Sequence, residues 1–166
     1  LDVTGDTLMY LGTSAVLHAY GAQYYTWTPP DFLSDPYIEN PVVTPLQTTI
    51  YSVEAFTSEG CPLNASFKVT VIDDPLVVFP SAFTPNGDGL NDQFIPVVLG
   101  LFEAESFKVF NRWGQLVYAS NEVAVGWDGT YEGEDEGVGT YVYFLSGKST
   151  STGKPYFVKG NVVLLR

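Results

Sequence analysis

The sequence predicts an all-β protein made of two antiparallel β-sandwich domains in tandem. Apolar residues recur with period two and almost nowhere with period 3.6, the signature of half-buried strands. Sixteen Gly and 11 Pro cut the pattern into short runs, as a sandwich needs and a helical bundle does not. The pattern also stops at an acidic joint, Asp73-Asp74-Pro75, and restarts at Leu76-Val77-Val78-Phe79-Pro80. An acidic pair followed by proline is poor strand material.

The elements follow in order. Val16, His18 and Tyr20 alternate with Leu17 and Ala19, and Tyr25 and Trp27 alternate with Thr26 and Thr28. The same habit runs through 50–56, 67–71, 107–110, 140–145 and 157–165. Pro29-Pro30, Asn40-Pro41, Glu59-Gly60, Asn86-Gly87, Asp88-Gly89, Trp113-Gly114 and Asp128-Gly129 supply the turns between them. Residues 101–113 are the best helical candidate, but their aromatic and β-branched content and the Phe107/Val109 alternation predict a strand. Residues 146–155 read as a polar hairpin leading into a last strand at 156–165. The domains are therefore placed at 1–75 and 76–166.

Composition excludes several classes of function. The 166 residues are 45% apolar and 15% aromatic, enough to bury a core and too apolar for an intrinsically disordered chain. Nineteen acids against seven bases give a net charge of −12, which repels phosphate backbones and argues against a nucleic-acid partner. No run approaches the ~20 apolar residues of a membrane helix. A single cysteine, Cys61, permits no intrachain disulfide and no multi-cysteine zinc site. No Gly-x-Ser-x-Gly elbow and no lysine-bearing phosphate loop is present, and the one histidine, His18, lies far in sequence from Cys61. Nineteen acids make some carboxylate pair inevitable, so a glycosidase reading has no support of its own. The chain is read as non-catalytic. Its start at Leu1 rather than Met is read as that of a piece cut from a longer protein.

Residues 1–75 carry six or seven short strands at immunoglobulin-like spacing, with Trp27 where such a sandwich places a core tryptophan. The segments 40–45, 48–53 and Gly60-Cys61 resemble PKD-type repeats of bacterial surface proteins. Tyr24, Tyr25 and Trp27 are read as strand and core aromatics; an adhesive or carbohydrate-binding module with these rings facing a sugar is the rival. His18 is expected to be a satisfied structural histidine and Cys61 a small half-buried side chain.

The second half is more specific. Phe79-Pro80-Ser81-Ala82-Phe83-Thr84-Pro85-Asn86-Gly87-Asp88-Gly89-Leu90-Asn91-Asp92-Gln93-Phe94 is followed by Phe110-Asn111-Arg112-Trp113-Gly114-Gln115-Leu116-Val117-Tyr118. Trp127-Asp128-Gly129, Gly139-Thr140-Tyr141-Val142-Tyr143 and Lys159-Gly160-Asn161-Val162-Val163-Leu164-Leu165-Arg166 complete an ordered series. Together they resemble the gliding motility-associated C-terminal domain, the type B sorting domain of the type IX secretion system. One departure is the acidic stretch 132–138, which lacks the proline often found before Gly-Thr-Tyr. The resemblance implies a second β-sandwich that serves as a folded, non-catalytic address on an exported protein. Its implied partners are outer-membrane components of that system, and its implied destination is the cell surface after passage through the periplasm.

Within this domain Trp127 is expected to plug one end of the core before a tight Asp128-Gly129 turn. Arg112 is expected over an aromatic face or beside a carboxylate. Arg112, Trp113, Gly114, Lys159, Gly160 and Arg166 are the candidate recognition residues, since exposed bases on an acidic domain are economical specificity handles. Asn86, Asp88 and Asp92 stand at i, i+2 and i+6 like half of a calcium loop. The competing reading is an Asx-rich turn in which Asn86, Asp88 and Asn91 bond their own backbone.

Overall fold

The computed structural model describes residues 1–3 and 5–166 and divides them into two compact units, Leu1–Pro75 and Leu76–Arg166. Among the described residues every regular element is a strand.

The first unit contains β1 (Asp2–Val3), β2 (Thr7–Tyr10), β3 (Ala15–Val16), β4 (Ala19–Tyr20), β5 (Tyr24–Thr28), β6 (Val42–Val43), β7 (Thr49–Phe56) and β8 (Pro62–Ile72). Its main sheet runs β2-β8-β7-β5, antiparallel except for the parallel β2–β8 pair. The short pairs β1–β4 and β3–β6 supply the facing layer. Period-two patterning decides what is buried. In β7, Tyr51, Val53 and Ala55 point inward while Ser52 and Glu54 face water. They pack with Trp27, Val69, Leu17, Ala19 and Val43 in one core. Trp27 is 1% exposed, and its indole N–H donates to the Ile38 carbonyl at 2.8 Å, which removes the cost of burying that polar group.

The second unit contains β9 (Leu76–Val78), β10 (Ala82–Phe83), β11 (Val97–Leu99), β12 (Phe102–Phe110), β13 (Leu116–Ser120), β14 (Thr130–Tyr131), β15 (Glu134–Asp135), β16 (Gly139–Ser149) and β17 (Pro155–Leu164). A five-stranded sheet runs β10-β17-β16-β12-β13, again with one parallel pair, β10–β17, at its edge. The pairs β9–β11 and β14–β15 stand outside it. Tyr141, Tyr143 and Leu145 of β16 meet Phe107 and Val109 of β12 and Val162 and Leu164 of β17 in a core rich in aromatic rings. Trp127 is buried among them, 4.7 Å from Tyr141 and 5.4 Å from Phe83 between ring centroids, as its predicted role as a plug requires.

The all-β sandwich class is as the sequence predicts, with two adjustments. Each main sheet has one parallel edge pair, because the first strand of each sheet lies beside the last. The hairpin expected at 146–155 is narrower: β16 continues to Ser149 and β17 starts at Pro155. Ser149 is buried, and its hydroxyl bonds Ser151 within the turn, so a polar composition there did not mean a loop.

Candidate recognition surface

The best-defined exposed feature is the turn between β12 and β13, residues 111–115. Asn111 is 6% exposed and organises it. Its Oδ1 accepts the N–H groups of Trp113 (3.1 Å) and Gln115 (3.0 Å), and its Nδ2 donates to Gln115 Oε1 at 3.0 Å. Backbone bonds from Gly114 to Asn111 and from Asn111 to Gln115 close the loop, with Gly114 at φ 78. An asparagine that bonds its own backbone two and four residues on stabilises a turn conformation, and glycine adopts positive φ without steric cost.

This rigid turn presents Arg112 and Trp113. Trp113 is 77% exposed, and the Arg112 guanidinium lies 4.7 Å over its ring. Arg112 makes no ion pair among the described residues. The turn borders a narrow cleft that residues 136–141 complete. There the single Tyr141 Oη–H is shared between Glu136 Oε2 (2.9 Å) and the Gly137 carbonyl (2.7 Å). Burial first, then the bond to Glu136 and that carboxylate's charge, pushes the Tyr141 phenol up to about 12, so it remains a donor at neutral pH.

The other candidate residues occupy different places. Arg166 Nη1 pairs with Asp135 Oδ2 at 2.8 Å, and Nη2 donates to the Gly129 and Glu136 carbonyls, so it fastens the end of the chain to the β14–β15 hairpin. A Cβ at Gly160 would stand 2.5 Å from Tyr143 Oη, so this glycine leaves room for the Tyr143 ring packed across its strand. Lys159 is exposed on β17. Only Arg112, Trp113 and Gly114 are brought together. Asn111, the side chain that holds them, was missed; its signal was an Asn followed by Trp-Gly between two alternating runs.

Trp27 and Tyr25 are buried and Tyr24 is exposed, as expected of strand and core aromatics, and the three rings form no sugar-stacking platform. Strand alternation puts 25 and 27 on the core side. His18 lies on the outward phase between β3 and β4, stacks on Tyr20 and bonds Asn40 Oδ1 at 2.9 Å. It is satisfied, as expected, and exposed. Cys61 is exposed instead of half-buried, because it sits in the turn before β8.

The loop at 86–92 is an Asx-rich turn with Asp92, not Asn91, at its centre. Asp92 Oδ1 accepts from Asn86 N (3.1 Å) and Gly87 N (2.7 Å), and Oδ2 from Gly89 N (2.8 Å). Asn86 Oδ1 accepts from Asp88 N, Asp88 Oδ1 from Leu90 N, and Asn86 Nδ2 donates to Asp88 Oδ2. N–H groups thus face the oxygens that a calcium ion would need. Among the described residues no three His, Cys, Asp or Glu side chains are grouped to hold a metal. The bonds from Gly87 and Gly89 hold the Asp92 carboxyl below its usual range. A depressed folded-state pKa gives stability that is present above the ordinary aspartate range and lost as pH falls through the lower folded value. The loop is therefore expected to loosen only in strong acid. An NMR titration should show the Gly87 and Gly89 amide resonances moving together at a midpoint below that of exposed aspartates. Movement at an ordinary midpoint would count against the cradle.

The fold defines a class: a modular all-β protein of two compact units. Residues 77–163, more than half of the chain, match the CHU_C family, described as the type IX secretion signal domain, and the chain belongs to that family. No curated protein matches it. Solved structures with similar strand arrangements include dimeric latent PorU from Porphyromonas gingivalis, at 10% identity and TM-score 0.37, covering 98% of this chain and 19% of that one. Protocadherin gammaB7 EC3-6 has 10% identity and TM-score 0.35, with 97% and 45% covered. The insect immune protein hemolin has 12% identity and TM-score 0.37, with 99% and 46% covered. The chain thus spans less than half the length of each, and these scores add nothing to what the strands themselves show. No helix among the described residues is long and apolar enough to cross a membrane.

Proposed function

We propose that residues 76–166 are a non-catalytic address, recognised after folding by outer-membrane components of the type IX secretion system, on a larger protein exported to the cell surface. The PKD/immunoglobulin-like unit at 1–75 spaces this address from its cargo. The family match supplies the secretion role, and the Arg112–Trp113 tip supplies the observation that carries recognition. Tryptophan and arginine dominate the energetics of protein interfaces, and a buried-asparagine turn holds these two in place before any partner arrives, which lowers the ordering cost of binding.

The test is export of a periplasmically targeted fluorescent protein fused ahead of the whole chain, in a host with a working type IX system. The wild-type fusion is expected outside the outer membrane, and in a secretion-defective strain it should stay in the periplasm. Arg112→Glu with Trp113→Ala is expected to cut the exported fraction at least tenfold while leaving the melting temperature unchanged. Export that ignores the secretion defect would refute the address. Export that ignores the double substitution would move recognition elsewhere on the domain.

A further inference from the structure

The five-stranded sheet of the second unit has a solvent face that the tip does not explain. Phe144 lies at its centre on β16, directly opposite Lys108 of β12 on one side and Lys159 of β17 on the other. Opposed residues in antiparallel strands project to the same face, so a half-buried ring stands between two lysines about 10 Å apart, two strand spacings. Phe110 and Phe157 extend the apolar surface, their rings 5.7 Å and 6.1 Å from Phe144, and Phe157 is 62% exposed.

The charges on this face run against those of the molecule. The chain carries −12 overall, yet Lys108 and Lys159 are exposed and have no ion-pair partner among the described residues. Lys148, further along β16, pairs with Glu103 at 3.2 Å. Of the unit's carboxylates, Glu103 and Glu105 lie near the start of β12 and Glu134 and Asp135 on β15, while those at 88, 92, 122, 128, 132 and 136 stand in loops. A row of phenylalanines that ends in an exposed ring and is flanked by cations without an ion pair among the described residues is a surface built for contact.

We infer that this sheet face docks an extended acidic segment of a partner protein, its carboxylates meeting Lys108 and Lys159 and its apolar side chains lying on Phe144 and Phe157. Complementary charge selects the occupant. A strand-like segment places alternate side chains on one side at a spacing of ~7 Å, which suits rows of Lys and Phe on a pleated surface. A broad anionic membrane fits less well, since it would repel the whole −12 molecule, whereas a short segment meets only the local positive field. This inference is independent of the secretion reading, because its test needs no export.

The probe is a capped peptide, Ser-Glu-Ser-Phe-Ser-Glu-Ser-Phe-Ser, whose extended form puts Glu and Phe on one side; it is titrated into the isotope-labelled 166-residue chain and followed by backbone amide shifts. Saturable shifts confined to β12, β16 and β17 are expected. Lys108→Gln with Lys159→Gln should weaken the peptide at least tenfold, and charge reversal at both positions should do so more strongly, with the amide spectrum showing both variants folded. Trp113→Ala should leave the affinity unchanged. Equal binding by the charge variants would overturn the inference, as would equal binding of the same peptide with Lys in place of each Glu. Perturbation of this face by phosphatidylglycerol vesicles but not by the peptide would assign it to lipid instead. Lysine-dependent self-association in sedimentation would assign it to a second copy of the chain.

Discussion

Trp127→Ala is expected to lower the stability of the second unit by about 3–5 kcal/mol, the usual range for deleting a buried aromatic side chain. Against a whole-domain stability of roughly 5–15 kcal/mol, that loss brings the unit close to unfolding. The indole is 1% exposed and packs on Phe83 and Tyr141. Its N–H donates to the Thr130 carbonyl at 2.8 Å, while its backbone exchanges two hydrogen bonds with Phe94. Alanine keeps the backbone bridge, empties the plug and leaves that carbonyl without its donor. Trp127→Phe retains most of the ring contact and should cost less. Native-state hydrogen exchange reads the effect by region: protection should fall across β12, β16 and β17 and stay unchanged in β7 and β8. Undiminished protection in β16 would show that the core does not depend on this ring.

Gly129→Ala is expected to cost about 2–5 kcal/mol, the sum of two separable penalties. The residue has φ 79, a conformation that costs an L side chain about 1–2 kcal/mol. A Cβ there would also stand 2.6 Å from Leu164 Cδ1 and 3.0 Å from Pro85 Cγ, and overpacking typically adds about 1–3 kcal/mol. Gly114 offers the control. Its φ of 78 is nearly the same, but nothing lies within 4 Å of its would-be Cβ. Gly114→Ala should therefore show the conformational penalty alone. Chemical denaturation of both variants measures the difference, and equal midpoints would mean that Leu164 and Pro85 move aside freely.

Much of this architecture was legible because β-structure writes itself in alternation. Tyr51-Ser52-Val53-Glu54-Ala55 and Tyr141-Val142-Tyr143-Phe144-Leu145 state which side chains face inward, and the core follows them. Alternation also contained the outward phase of His18 and Lys108. Pairing partners were less legible. The parallel contact of β10 with β17 joins residues some eighty positions apart and depends on no local motif. Roles set by distant atoms were the least legible. Arg166 reads as a free cation until the fold brings Asp135 beside it, and Gly160 reads as a flexible position until the Tyr143 ring is seen crossing it. Asp92 rather than Asn91 collects the backbone of this loop, because a carboxylate with two acceptor oxygens can take three amides, where an asparagine offers one oxygen.

The placement of β17 has a temporal consequence. Although it is the last strand to leave the ribosome in this unit, it lies inside the sheet, between β10 and β16. A polypeptide halted before residue 155 would leave both neighbours as open edges and Tyr143, Leu145 and Phe83 without their cover. The shape displayed by the domain therefore exists only once its sequence has been read through. On the function proposed above, machinery that recognises the folded domain would accept only a unit whose last strand is in place.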